Sequence, residues 1–145
     1  MDNKKEQIDV GVLREPTVEF TYWRTENLQS HNKAMDSYGS ILNGMRYINC
    51  LTNEGANVKF YIPLRFKLGI HKWRKSDDGI KIDFEAGISY PGYGSWSGEW
   101  GEINIQDDNP QNFKGTFSVY SKHFEDASPP RLDNGRFLLK LKVLG

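Results

Sequence analysis

Hydrophobic and polar residues alternate along much of this chain, most regularly between residues 58 and 70. Every even position there is apolar: Val58, Phe60, Ile62, Leu64, Phe66, Leu68 and Ile70. A helix turns by about 100° per residue and would scatter these side chains, whereas a strand places them on one face. The pattern therefore predicts one long strand with a buried face, in which Pro63 marks a bend, a bulge or an unpaired edge.

Shorter segments with the same alternation predict further strands at 17–24, 46–51, 80–88, 102–105, 113–120 and 136–144. The Asp-Asp-Gly sequence at 77–79 fits a three-residue hairpin loop that follows the long strand. In that hairpin His71 would lie opposite Glu85, and Trp73 opposite Asp83. The inward faces of the two strands then coincide, which supports the register.

Two regions lack this alternation. Residues 25–45 keep neither the helical nor the strand period, so we expect a long loop with one helical turn at most. Residues 122–135 contain two adjacent prolines and an Asn-Gly pair and are interpreted as a longer connection. The chain suits one domain, residues 1–145, with a flexible polar tail at 1–9.

The strand pattern predicts an all-β fold with about seven strands and no convincing helix. Strands with one buried face and one solvent-exposed face are typical of antiparallel sheets. Long, single-faced strands favour a single meander closed into a lipocalin-like barrel, because closure removes unpaired edges. The alternative is a two-sheet β-sandwich.

Charge changes this picture little. Nineteen basic and nineteen acidic residues leave no net charge, so we expect no nucleic-acid partner, which would normally require a basic excess. The stretch 57–75 is basic and 76–109 is mostly acidic. We interpret them as neighbouring strands that neutralise each other; the alternative is a single-strand nucleic-acid site with Tyr61 and Trp73.

No apolar run is long enough for a membrane span, and the polar N-terminus predicts no signal peptide. We expect a cytoplasmic protein if the sequence is complete. If a leader has been removed, a periplasmic or cell-envelope location is expected.

Few residues indicate catalytic or metal chemistry, and we expect no cofactor and no metal. Cys50 is the only cysteine and is predicted to be buried. No histidine has a partner at metal-ligand spacing. His71 and Glu85 could form a general acid–base pair, but we favour a surface cross-strand contact between them. The Asp107-Asp108-Asn109 sequence offers calcium ligands but is also typical of a turn.

The segment 89–100 is rich in glycine and in large aromatic residues: Tyr90, Tyr93, Trp96 and Trp100. Such residues form platforms for sugars, bases and apolar ligands, and they anchor protein interfaces. The alternative is structural. Trp96 and Trp100 share a parity opposite to that of Ile103, so a bulge near Gly101 would turn both tryptophans into the core or against one barrel end.

The C-terminal third resembles the closing hairpin of uncharacterised, calycin-like bacterial lipoproteins. The resemblance rests on the sequences Gly-Thr-Phe-Ser at 115–118 and Asn-Gly-Arg-Phe at 134–137 and covers about 30 of the 145 residues. It implies a lipocalin-like barrel and a non-enzymatic envelope protein. The chain lacks the lipid-attachment leader of that family and the Gly-x-Trp of true lipocalins, since Trp23 has no such glycine.

The sequence therefore predicts a non-enzymatic binding module for a small apolar or sugar-like ligand or a protein partner. The aromatic segment 89–100 and the connection 122–135 are the predicted binding loops. One alternative is a protein-interaction role, such as an inhibitor or immunity protein. The other is a small β-barrel enzyme that uses His71 and nearby carboxylates.

Overall fold

The computed structural model describes residues 17–75, 80–85 and 94–145, and for 83–85 it describes the backbone only. The predicted tail at 1–9 and the turn at 77–79 lie outside the described residues. The described chain forms one sheet that curls into a half-barrel, so the all-β, barrel-like prediction is confirmed. The sheet is continuous, unlike the two separate sheets of the sandwich alternative.

The described strands outnumber the predicted ones. They are β1 (Thr17–Thr25), β2 (Leu28–Leu42), β3 (Met45–Thr52), β4 (Asn57–Pro63), β5 (Gly69–Arg74), β6 (Lys81–Glu85), β7 (Ser95–Ser97), β8 (Trp100–Asp107), β9 (Phe113–Tyr120), β10 (Arg131–Leu139) and β11 (Leu141–Val143). Their order in the sheet is β5-β8-β9-β10-β1-β2-β3-β4-β6-β7, and β11 lies beside β2. A short 3-10 helix, Pro110–Asn112, joins β8 to β9.

The sheet bends at two places along the chain. Residues 28–33 of β2 pair with β1 and the remainder pairs with β3, with a register shift between Ala34 and Asp36. Elsewhere the chain leaves β7, which pairs with β6, and passes through Gly98 and Glu99 into β8, which pairs with β5 and β9. At both places, consecutive residues of one stretch of chain pair with different neighbouring strands. The sheet bends there.

The loop predicted for 25–45 is wrong, because most of this region forms β2. The inward side of β2 is mostly small or polar, and Ile41 is its buried apolar residue: Asn32 is buried, and its Oδ1 accepts a hydrogen bond of 2.7 Å from Thr52 Oγ1. A Cβ atom on Gly39 would lie 2.5 Å from Leu141 Cδ2, so glycine leaves room for β11. In β2 a buried hydrogen bond and the close approach of β11 take the place of buried apolar side chains. The sequence of this strand therefore shows no hydrophobic alternation.

The single long strand predicted for 58–70 is interrupted near the predicted bend. Strand β4 ends at Pro63, the chain turns, and β5 begins at Gly69, whose φ is +116°. The guanidinium of Arg46 is buried beneath this turn, where Nη1 donates hydrogen bonds to the carbonyl oxygens of Pro63 (2.9 Å) and Phe66 (3.1 Å). Burial lowers the pKa of Arg46, although Asp108 opposes this shift.

This turn changes which side chains face inward. Val58, Phe60 and Ile62 of β4 are buried as predicted. Leu68 is 59% exposed and Ile70 is 63% exposed, contrary to the prediction. Strand β5 pairs with β8, whereas β6 pairs with β4, so the predicted hairpin register is wrong.

Aromatic side chains fill the interior of the half-barrel. The Phe117 ring lies near those of Phe20, Phe60 and Phe137, with centroid distances of 6.2, 5.1 and 6.3 Å. A Cβ atom on Gly135 would lie 2.5 Å from the Phe117 ring, so β10 can approach that ring only with glycine. The described interior is therefore packed around Phe117.

The C-terminal region also departs from its prediction. Strand β10 begins at Arg131, so the second part of the predicted connection 122–135 is strand. The predicted strand 136–144 is two strands, and β11 pairs in parallel with the second half of β2. That half does not pair with β1, so β11 covers an edge that would otherwise be open. Leu141 is buried and Val143 is exposed.

Candidate functional site

The two described tryptophans of the predicted aromatic site, Trp96 and Trp100, lie on different sides of the sheet. Tyr90 and Tyr93 lie outside the described residues. Trp96 in β7 packs against the core, whereas Trp100 in β8 lines a pocket on the outer face. The register of β8 is continuous around Gly101 with both neighbouring strands, so the predicted bulge there is wrong. The two tryptophans face opposite sides because the chain passes through the 98–99 junction between them.

Trp100 and Tyr120 form the centre of what we call the aromatic pocket. They are direct neighbours on β8 and β9, and their rings stack with centroids 4.1 Å apart and an interplanar angle of 23°. Phe124 meets Trp100 edge-on at 5.5 Å. The pocket has a volume of about 490 Å³ and is lined by Lys72, Trp73, Arg74, Trp100, Gly101, Glu102, Ser118, Tyr120, Phe124 and Glu125.

Charged side chains of both signs surround these rings. The Arg74 guanidinium lies 3.6 Å from the centroid of the Phe124 ring, a cation–π contact that positions both groups. Lys72, Glu102 and Glu125 complete the charged lining. Two basic and two acidic residues therefore line the pocket, and their formal charges balance.

Trp73 and Gly101 form the inner wall of the aromatic pocket. A Cβ atom on Gly101 would lie 2.2 Å from the Ser118 carbonyl oxygen and 3.1 Å from Trp73 Cζ2, so only glycine fits. The indole N–H groups of Trp73 and Trp100 are buried and have no hydrogen-bond partner within the described part of the chain. An unpaired buried donor is uncommon, and two lie at this wall.

A second pocket, which we call the polar pocket, adjoins the first. It has a volume of about 570 Å³ and is lined by Glu19, Thr21, His31, Glu102, Thr116, Phe117, Ser118, Asp133, Asn134, Gly135 and Arg136. The Glu19 carboxylate is central: Oε1 lies 3.4 Å from His31 Nε2, and Oε2 lies 3.5 Å from Arg136 Nη2. The polar pocket shares Glu102 and Ser118 with the aromatic pocket.

A bulge in β10 shapes the polar pocket. The pairing of β10 with β9 shifts between Leu132 and Gly135, and Asn134 has a φ of +50°. Bulges redirect side chains next to binding sites, and asparagine tolerates positive φ. The Asn-Gly pair indicates unusual backbone in the sequence, but there it predicts a connection and not a strand bulge. The approach of His31 to Glu19 depends on β2, where the sequence predicts a loop.

The predicted acid–base pair does not form. His71 lies opposite Ile103 on β8, whereas Glu85 lies opposite Asn57 on β4. The His71 Nε2 atom is 2.7 Å from the Lys67 carbonyl oxygen. The pairing of His71 with Glu85 is therefore wrong, because the turn after β4 sends the two residues to different neighbours.

The acidic turn after β8 uses its carboxylate locally. Asp107 Oδ1 accepts a hydrogen bond of 2.9 Å from the Asn109 backbone N–H, and Oδ2 accepts one of 2.9 Å from Asn112 Nδ2. These hydrogen bonds lower the pKa of Asp107. Across the described ranges, no group of three or more histidine, cysteine or acidic residues could hold a metal ion.

Cys50 is buried, as predicted. Burial raises the pKa of its thiol to about 12, and its S–H donates a hydrogen bond of 3.7 Å to the Val58 carbonyl oxygen. A thiol held in this form is a poor nucleophile and a poor metal ligand.

The basic and acidic segments do lie on neighbouring strands, but the strand pairs differ from the predicted hairpin. Lys59 lies opposite Asp83 in the register of β4 and β6, and Lys72 lies opposite Glu102 in that of β5 and β8. Lys75 Nζ is 3.9 Å from the Glu99 carboxylate. Opposite charges on neighbouring strands stabilise the sheet modestly.

No protein-family model matches the chain, and no curated protein and no solved structure shows significant similarity to it. Within the described residues, no helix combines the length and the apolar character needed to cross a membrane.

Proposed function

We propose that the protein is a non-enzymatic binding module that holds a sugar-like ligand in the aromatic pocket. The observation that carries this proposal is the stacked Trp100–Tyr120 pair in a pocket that is also lined by charged and hydroxyl side chains. Ligand sites combine apolar and aromatic surface with a few placed polar groups. Flat rings would contact the C–H face of a sugar, and Glu102, Ser118 and Lys72 would contact its hydroxyl groups.

A sugar fits this pocket better than a purely apolar ligand does. An apolar ligand would leave the neighbouring carboxylates and cations desolvated without hydrogen bonds, which is costly. A sugar hydroxyl both donates and accepts, so it can serve either charge. The packed surroundings of Phe117 favour a ligand on the outer face over one in the barrel interior.

The proposal is tested by titrating the protein with cellobiose, a flat β-linked disaccharide, while binding is followed by calorimetry. Trp100→Ala and Tyr120→Ala are expected to weaken binding on the order of tenfold or more, because each removes a stacking surface. Trp23→Ala is the matched control: it removes an indole ring from another strand, and Trp23 lines neither pocket.

Equal affinity of all variants would show that the disaccharide binds elsewhere. Absence of cellobiose binding by the natural protein would count against the proposal directly.

A protein partner is the second candidate, and a different surface favours it. Met35 is 74% exposed, Tyr38 65% and Leu51 47%, all on β2 and β3. Exposed apolar and tyrosine side chains that share a face are typical of protein interfaces. An inhibitor or immunity role would use this face. Pull-down with a Tyr38→Asp variant as control would test it, since a charge there should abolish capture.

The family and the location stay proposals. A lipocalin-like lipoprotein of the bacterial cell envelope is compatible with the half-barrel, and the comparisons do not bear on it. Fractionation of cells that produce the protein with its native upstream sequence would separate an envelope location from a cytoplasmic one.

A further inference from the structure

We infer that the ligand is a linear, uncharged oligosaccharide that crosses the strands from the aromatic pocket into the polar pocket. This inference rests on the proposed function and specifies its ligand. Its basis is that Glu102 and Ser118 belong to the walls of both pockets, so the two form one groove on the outer face.

The strand register aligns this groove across the sheet. Lys72 lies opposite Glu102, which lies opposite Ser118, on β5, β8 and β9. Beyond the bulge, Thr21 lies opposite both Asp133 on β10 and His31 on β2. Six adjacent strands contribute. At about 4.8 Å between strands, they span about 24 Å, which exceeds the length of a disaccharide in the aromatic pocket.

Most charged groups of the polar pocket lie in ion pairs within the protein, and Glu102 lies opposite Lys72 in the strand register. Glu19 lies between His31 and Arg136, at 3.4 and 3.5 Å. Asp133 lies 3.5 Å from Nε of Arg131. Because these groups already have partners, the polar pocket offers little uncompensated charge to a ligand. An anionic polymer such as single-stranded nucleic acid would need a basic excess instead.

Uncharged hydrogen-bonding groups lie between these ion pairs. Thr21, Thr116 and Ser118 present hydroxyl groups, and Asn134 presents an amide at the bulge. Each can both donate and accept hydrogen bonds, as sugar hydroxyl groups do. The groove therefore has an aromatic end for stacking and a polar end for hydrogen bonding, which suits successive units of one chain.

Chain length is the variable that tests the inference. Cellobiose and cellohexaose are titrated by calorimetry into the natural protein and into two polar-pocket variants, Thr116→Val and Asn134→Gly. Glycine accepts the positive φ at this position, so Asn134→Gly removes the amide without straining the bulge. Thr25→Val is the control, because Thr25 is exposed at the end of β1 and lines neither pocket.

Cellohexaose is expected to bind at least about tenfold more tightly than cellobiose, since it adds several hydrogen bonds. Each polar-pocket variant should weaken cellohexaose binding about fivefold and leave cellobiose binding unchanged. Thr25→Val should change neither.

Equal affinity for the two sugars, or variants without effect on cellohexaose, would overturn the inference while the proposed function stands. Displacement of cellohexaose by a thymidine oligonucleotide would overturn it in favour of nucleic acid. Failure of both sugars to bind would overturn the inference together with the proposed function.

Discussion

The two faces of β8 and β9 have opposite chemistry although they are only one residue apart along each strand. Inward, Ile103 and Phe117 are buried in a packed interior. Outward, Trp100, Ser118 and Tyr120 line open pockets. The inner face supplies the apolar burial that stabilises the sheet. The outer face does not supply this burial, so its positions can hold polar and aromatic groups for binding.

The difference between the inner and outer faces changes where a binding site is expected in a barrel-like protein. A lipocalin-like prediction places the ligand inside the barrel or at its mouth. Here the ring of Phe117 lies against other phenylalanine rings, and the pockets described above lie on the outside. The experiments below separate the roles of the two faces.

The largest expected difference is in thiol reactivity. Cys50 faces the interior with a pKa of about 12, which lowers its thiolate fraction near neutral pH about a thousandfold relative to a free thiol. Ser118→Cys would place a second thiol in the groove. A thiol reagent should label the groove cysteine quickly and Cys50 only after unfolding in urea, as measured by mass spectrometry. Rapid labelling of Cys50 in the folded protein would contradict a packed interior.

The next largest effect is expected from Phe117→Ala. Removing this ring leaves a cavity among three other phenylalanines and should lower the free energy of unfolding by about 3–5 kcal/mol. Phe124→Ala on the outer face is the matched change. Since Phe124 is 42% exposed, its loss should cost less than about 1 kcal/mol and weaken ligand binding instead. Urea denaturation and cellobiose titration measure the two quantities, and similar stability losses would contradict the division of roles.

Gly101→Ala tests the wall between the two faces. The added methyl group would meet the Ser118 carbonyl oxygen, so we expect a loss of about 1–3 kcal/mol in the free energy of unfolding. Gly94→Ala is the control, because apart from its chain neighbours no atom of the described residues lies within 4 Å of its added Cβ. Thermal denaturation of both variants checks this, and equal melting temperatures would show that β8 can shift without cost.

The smallest effect is expected at the turn that follows β8. The hydrogen bonds of Asp107 hold its pKa below the ordinary value, so the folded state favours its ionised form. Its contribution is present at neutral pH and is lost as pH falls through the lowered pKa. Asp107→Ala should lower the melting temperature slightly at pH about 7 and not at pH about 2. A pH-independent effect of Asp107→Ala would contradict this role.

Agreement between sequence and structure varies from strand to strand. Strand β9 was predicted residue by residue, because Phe113, Phe117 and Val119 alternate with polar residues and all are buried. Strand β2 was missed, since Asn32 satisfies its inward position by a hydrogen bond. Hydrophobic alternation detects only strands that bury apolar side chains.

The candidate site was harder to predict than the fold. Trp100 was identified from its aromatic segment, and Phe124 lies in the connection named as a second binding loop. Tyr120 was assigned only to a strand, and the cluster of Glu19, His31 and Arg136 was not foreseen. Their proximity depends on strand neighbours that are distant in sequence, and no local pattern specifies those neighbours.

The all-β class and most inward-facing side chains follow from the local alternation of residue types. The strand neighbours and the separation of Trp96 from Trp100 do not follow from it and arise only in the folded chain. Pairing between distant strands is set by packing and by buried polar groups. One such group is Arg46, which donates a hydrogen bond to the Pro63 carbonyl oxygen at the start of the turn. The groove exists because that turn brings β5 beside β8, an arrangement that no stretch of neighbouring residues encodes.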